Sequence, residues 1–150
     1  MASDDTAVNA ATNTRHVSTW MLVGCGVWLV GVGLYFMVLR SPLLPEDARF
    51  MGATPAHIRN AVPGLEGWLR IVFTVMGGFM ASCGVLTVFV ATRARPPRSN
   101  GASWALALSG ASGVSLMSVA NFALHSDFRW YLLAPALIWL AGLVLFVRGR

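Results

Sequence analysis

Residues 17–39 read VSTWMLVGCGVWLVGVGLYFMVL, 23 positions without a charged side chain. An α-helix needs about 20 apolar residues to cross the hydrocarbon core of a bilayer. Three further stretches have the same character, at residues 71–92, 102–124 and 130–147. Because a backbone surrounded by lipid must satisfy its own hydrogen bonds, each stretch is predicted to be a helix. The sequence therefore predicts an all-α, polytopic membrane protein with four transmembrane helices in a compact bundle.

The composition of the 150-residue chain agrees with this fold class. Hydrophobic residues make up 56% of the chain and charged residues 11%, against roughly 25% charged residues in a soluble domain. The net charge of +5 comes from 11 arginines against six acidic residues, and there is no lysine. The arginines lie mainly at the ends of the apolar stretches. Arginines in such places are typical of membrane interfaces, so the basic balance does not indicate binding to nucleic acid.

The chain is predicted to form one membrane domain, residues 17–150, preceded by a mobile N-terminal tail at residues 1–16 that is mostly small and polar. Three arginines, Arg93, Arg95 and Arg98, lie in the short connection between the second and third stretches. Cytoplasmic loops of membrane proteins carry an excess of positive residues. Both termini are therefore predicted to be cytoplasmic.

The first connection is the only long one, and it carries signals of two short helices. Pro45 followed by acidic residues is typical of a first helical turn, and Gly52 is typical of a helix end. Thr54 is a candidate N-cap for a second helix, which Pro63 and Gly64 would close. Both pieces carry apolar side chains, so we expect two short amphipathic helices on the outer membrane face.

The same region contains the motif Leu44-Pro45-Glu46-Asp47-x-x-Phe50-Met51-Gly52, followed in the second stretch by Gly77-Gly78 and Gly84. In these features the chain resembles a family of small bacterial four-helix integral membrane proteins of unknown function. The resemblance covers roughly the first two predicted spans and the loop between them. It implies the same four-helix fold, and it implies no particular chemistry because no activity is assigned to that family.

Small residues recur at helical spacing and predict faces for close helix packing. Those four apart are Gly77, Gly78, Ala81 and Ser82 in the second stretch and Ser109 and Gly113 in the third. In the first stretch two pairs of glycines are seven apart, Gly24 with Gly31 and Gly26 with Gly33. Residues two turns apart share a helix face. Such faces let helices approach closely, within one chain or between two copies.

The third stretch is the most polar, because serines and an asparagine recur every three residues ahead of a histidine. The candidates for lining a pocket beneath the first outer loop are Ser115, Ser118, Asn121, His125 and Glu46. Such a pocket would take an apolar small molecule or a lipid, and a kink at Pro135 would widen its mouth. Alternatively, the serines bond to carbonyls of their own helix and fill tight contacts.

No catalytic residue is predicted. None of the four stretches contains an ionisable Asp, Glu, Lys, Arg or His, which argues against a pump, a proton-coupled carrier or a charged channel. His57, His125 and Asp127 are the candidates for a metal site, but they lack the spacing of a metal motif and no metal is predicted. Cys25 and Cys83 fall at similar depths in antiparallel helices, and without a C-x-x-C motif they are expected to be inert.

These patterns favour a non-enzymatic protein of a bacterial inner membrane that is an accessory or structural subunit of a membrane complex, or a small homo-oligomer. The alternative is a binder or processor of an apolar small molecule or lipid in the pocket beneath the first outer loop. The expected partners are membrane lipids and other membrane subunits or a second copy, contacting the helix surfaces or the loop at residues 41–67. No cofactor is predicted, although a bound lipid fits either hypothesis.

Overall fold

A computed structural model describes residues 2–94 and 100–148 of the chain. The helices in these ranges are α1 (Ala2–Val38), α2 (Pro45–Phe50), α3 (Pro55–Ala61), α4 (Leu65–Arg93), α5 (Asn100–Gly110), a π-helical segment (Ala111–Ser115), α6 (Leu116–Ala123) and α7 (Arg129–Arg148). No β-strand occurs in the described part of the chain. The predicted all-α class is confirmed.

Four helical stretches among the described residues are long and apolar enough to cross a membrane. They are Thr12–Val38, Leu65–Arg93, Asn100–Ala123 and Arg129–Arg148. In the most apolar part of each stretch, between 17% and 28% of the residues are buried inside the protein. The remaining residues are partly buried or exposed, and because the exposed ones are largely apolar they suit contact with lipid. The prediction of four transmembrane helices is confirmed.

The first helix begins at Ala2, inside the segment predicted to be a mobile tail. Residues 2–16 contain neither proline nor glycine, and alanine is the residue that most favours a helix. Nothing in this segment therefore ends the helix that continues backward from the first span. The predicted tail is helical, and its mobility stays a prediction.

The two short loop helices are present, and local capping sets their ends. At the start of α2 the Asp47 carboxylate accepts a hydrogen bond from the backbone N–H of Leu44 at 2.9 Å. Gly52 ends α2 with a φ of +66°, a left-handed conformation that favours glycine. The Thr54 hydroxyl caps α3 by accepting from the backbone N–H of His57 at 3.2 Å. Both helices lie where the sequence predicts them.

Helices α1 and α4 form the largest interface of the bundle and meet at glycines. Gly26 faces Gly84, and Gly33 faces Gly77, so the two helices are antiparallel. A Cβ atom built on Gly33 would lie 2.6 Å from the carbonyl oxygen of Gly77 and 2.6 Å from the backbone nitrogen of Ala81. Because the glycines are seven apart on each helix, the close approach repeats every two turns.

Helix α7 closes the bundle by packing against α1 and against the third span, formed by α5, the π-helical segment and α6. The buried core consists of Leu22, Cys25, Leu29, Ala91, Leu106, Val114, Trp139 and Phe146. The Trp139 indole ring lies directly on Gly110, the last residue before the π-helical segment. A smaller cluster of Leu43, Ala48 and Ile58 joins α2 to α3 at the end of the bundle that carries the first loop. We call this the loop end.

Candidate functional site

The predicted pocket residues of the third span find their hydrogen-bond partners in helix carbonyls. The buried Ser118 hydroxyl lies 2.6 Å from the carbonyl oxygen of Leu132 in α7 and 3.1 Å from that of Val114, one turn back in the π-helical segment. The Asn121 amide donates to the carbonyl oxygen of Met117 at 2.9 Å, and Ser115 is exposed. The side chains of Ser118 and Asn121 thus bond to helix carbonyls, as in the alternative to a pocket that the sequence left open.

His125 forms the turn that ends α6. Its φ of +50° is left-handed, which histidine adopts more readily than a branched residue does. The backbone N–H of His125 donates to the carbonyl of Phe122 at 3.1 Å, and that of Ser126 donates to the carbonyl of Asn121 at 3.0 Å. This pair of bonds is a Schellman motif, and it turns the chain so that Ser126 and Asp127 face α2. The His125 side chain itself is exposed.

Glu46, the fifth predicted pocket residue, binds this turn from α2. Its Oε2 accepts from the Ser126 hydroxyl at 3.0 Å and lies 3.3 Å from the backbone nitrogen of Asp127, which donates to it. Arg49, one turn further along α2, pairs with the Asp127 carboxylate at 3.1 Å. We call these four residues the loop latch. Ser126 and Arg49 have no signal in the sequence, because the two halves of the latch are about 80 residues apart.

A small cavity lies beside the loop latch. Its lining residues are Leu44, Pro45, Glu46, Asp127 and Phe128, and its volume is about 100 Å³. This space corresponds to about three water molecules. Of the five residues predicted to share a pocket, only Glu46 lines it.

A larger cavity, of about 180 Å³, lies where α1 ends and α4 begins. Its lining residues are Phe36, Met37, Val38, Leu39, Arg40, Ser41, Pro42, Arg70 and Phe73. The Arg40 guanidinium carbon lies 3.7 Å from the ring centroid of Phe73 and 5.1 Å from that of Phe36. None of the site residues predicted from the sequence lies here. Its sequence signal is weak, because Arg70 and Phe73 are three apart in α4 but Arg40 lies beyond the end of α1.

Three of the predicted packing residues contact a neighbouring helix. Gly77 and Ala81 lie in the interface between α1 and α4. Ser109 reaches α4 through a hydrogen bond between its hydroxyl oxygen and the Cys83 sulfur, at 2.8 Å. The other cysteine, Cys25, donates to the carbonyl oxygen of Pro135 at 3.6 Å. Both thiols are free and have separate partners.

The other three predicted packing residues face away from the bundle. A Cβ atom built on Gly78 or Gly113 would meet nothing within 4 Å among the described residues, and Ser82 is exposed. The same holds for Gly24 and Gly31 on α1. These small residues leave shallow places on the lipid-facing surface.

The candidate metal ligands are not gathered into a site. Among residues 2–94 and 100–148, no group of three or more His, Cys, Asp or Glu side chains is placed to hold a metal ion. His57 is exposed on α3, His125 is exposed in the turn after α6, and Asp127 is paired with Arg49.

The geometry defines a class, a multi-pass α-helical membrane protein with a latched first loop. Comparisons with protein-family models, curated proteins and solved structures gave no match to the chain. The resemblance of its first half to small bacterial four-helix proteins stays a prediction.

Proposed function

We propose that this protein is a non-enzymatic membrane protein that acts by helix packing, as an accessory or structural subunit of a membrane complex or as a small homo-oligomer. The observation that carries the proposal is the face of α4 on which Gly78 and Ser82 point away from the bundle. Bilayers provide no hydrophobic force that joins helices, so small residues one turn apart matter chiefly where another backbone approaches.

The two consecutive glycines of α4 differ in their surroundings. Gly77 is in contact with Gly33 of α1, and its neighbour Gly78 has open space around it. Val75 and Phe79 beside it are 54% and 73% exposed. A shallow groove between large apolar side chains is a shape into which a helix of a second protein fits.

The test is purification of the full chain from native membranes in a mild detergent, followed by its mass and the identity of co-purifying proteins. We expect either a homo-oligomer or a stoichiometric partner, lost in Gly78→Leu. The matched control is Gly31→Leu, an equally open glycine on α1. A wild-type protein that runs as a monomer without a stoichiometric partner would overturn the proposal.

We also propose a bacterial inner-membrane location with both termini in the cytoplasm. Four spans place the two termini on one side, together with the connection between α4 and α5. Arg93 ends α4 on that side. The remaining arginines of the cluster, Arg95 and Arg98, lie outside the described residues. Positive residues in a short connection of this kind favour the cytoplasmic side.

The alternative function, binding or processing of an apolar molecule beneath the first loop, has less support. The cavity beside the loop latch has the volume of about three water molecules. Ser118 and Asn121 are hydrogen-bonded to carbonyls and not directed into it. A ligand there would have to displace α2 from the turn that it binds.

A further inference from the structure

We infer that the cavity between the end of α1 and the start of α4 is a phosphate-binding site, and that its occupant is the headgroup of a membrane phospholipid. This inference is independent of the proposed helix packing, because it concerns other residues and either can hold without the other. The two cationic side chains of the site are Arg40 and Arg70.

The antiparallel packing of α1 and α4 brings two pairs of residues together. Phe36 lies in the last turn of α1, and Arg40 follows two residues after that helix ends. Arg70 and Phe73 are three apart near the start of α4, so they share a helix face. The two phenylalanine rings meet edge to face, with centroids 6.0 Å apart, and form the apolar wall of the cavity. The volume of about 180 Å³ suits a phosphate group and not a pair of acyl chains.

Arg40 is held in place before any ligand binds. Its side chain is 11% exposed, and its guanidinium lies over the ring of Phe73. One nitrogen donates to the carbonyl oxygen of Ser41 at 3.3 Å, and another lies 3.5 Å from the Asp47 carboxylate. That carboxylate oxygen also accepts from the backbone of Leu44, so it is shared with the α2 cap. A guanidinium has five N–H donors, so several remain for a ligand.

Arg70 supplies the positive charge that has no counterpart in the cavity. The cavity lining contains two arginines and no acidic residue. Within the described part of the chain, Arg40, Arg49 and Arg59 form ion pairs and Arg70 forms none. The carbonyl end of α1 also lies here, and Arg40 compensates its partial negative charge. Arg70 therefore favours an anion, and arginine binds phosphate through charge-assisted hydrogen bonds.

The depth of the cavity favours a lipid over free phosphate. Tyr35 and Trp68 are exposed on α1 and α4 near the same end of the bundle. Aromatic side chains of this kind lie at the level of the lipid headgroups. A phospholipid can therefore place its phosphate between the arginines while its acyl chains follow the apolar outer faces of the two helices.

The test is binding of phosphatidylglycerol to the purified full chain, measured by native mass spectrometry. Arg70→Gln is expected to weaken binding about tenfold, since a charge-assisted contact is lost. Arg70→Lys keeps the charge and is expected to retain most of the affinity. The matched control is Arg129→Gln, which removes an arginine at the same end of the bundle outside the cavity lining.

Two further probes separate the sources of the phosphate. Diacylglycerol with the same acyl chains lacks the phosphate and is expected to bind much more weakly. Inorganic phosphate alone is expected not to displace the lipid. Equal binding of phosphatidylglycerol to Arg70→Gln and to the wild type would overturn the site. Equal binding of diacylglycerol would overturn the role of the phosphate, and displacement by inorganic phosphate would overturn the lipid as occupant.

Discussion

Gly77 and Gly78 are chemically identical neighbours, and the structure gives them different surroundings. Successive residues of a helix point about 100° apart. Gly77 therefore contacts α1 and Gly78 faces outward. The spacing of small residues predicts a packing face around both, because either one begins a small-x-x-x-small pattern. The spacing alone does not show which of the two faces meets a helix of the same chain.

The glycine interface predicts that two Gly→Ala substitutions change the free energy of unfolding differently. A Cβ atom at Gly84 would lie 2.5 Å from the carbonyl oxygen of Gly26, a backbone atom that cannot move alone. Gly84→Ala is expected to destabilise the protein by about 1–3 kcal/mol through overpacking. Gly31→Ala places its Cβ in open space and is expected to be neutral or to stabilise by up to about 1 kcal/mol through helix propensity.

The measurement for both variants is thermal unfolding of the protein in one detergent, followed by circular dichroism. A lower Tm for Gly84→Ala beside an unchanged or higher Tm for Gly31→Ala is the expected result. Equal shifts in the two variants would mean that the close approach of α1 and α4 does not limit stability.

At the scale of elements, local interactions set the ends of α2, and a distant interaction sets its position in the fold. Its ends follow from Pro45, Asp47 and Gly52, which act within a few positions of the helix, so the sequence predicts them. Its attachment to the turn after α6 depends on Glu46 and Ser126, which are about 80 residues apart. Ser126 is 1% exposed and belongs to a turn whose left-handed residue is histidine rather than glycine.

The loop latch predicts that Glu46→Ala loosens α2 without unfolding the bundle. The substitution removes the acceptor of the buried Ser126 hydroxyl, a loss of about 1–3 kcal/mol for the contact. We expect faster hydrogen exchange of the α2 backbone amides and little change in the core of the four spans. The control is Glu66→Ala, which breaks an ion pair with Arg59 whose side chains are 57% and 39% exposed. Exposed pairs of this kind contribute little. Equal exchange in the two variants would contradict the latch.

At the scale of the whole molecule, four spans joined by two short connections and one long one impose a single topology. The termini and the connection between α4 and α5 lie on one side, and the loop end lies on the other. The proposed cytoplasmic side is the one that carries the positive residues of the connection between α4 and α5.

With the proposed orientation, green fluorescent protein fused to the C-terminus is expected to fluoresce in bacterial cells, because green fluorescent protein folds in the cytoplasm. It also predicts that Asn60→Cys, exposed in α3, reacts with a membrane-impermeant maleimide added outside the cells. A cysteine introduced at Thr92, exposed near the other end of α4, is the control and should stay unlabelled. Labelling at Thr92→Cys with none at Asn60→Cys would mean the opposite orientation.

The sequence alone predicts the helical class, the four spans and the positions of α2 and α3. Each of these depends on local hydropathy or on capping residues within a few positions, so the information lies in consecutive residues. Three contacts become visible in the folded chain: Gly33 meets Gly77, Glu46 binds Ser126, and Arg40 and Arg70 line one cavity. These contacts depend on the rotation of each helix about its axis and on the pairing of distant segments. The local sequence pattern constrains neither the rotation of a helix nor the pairing of distant segments.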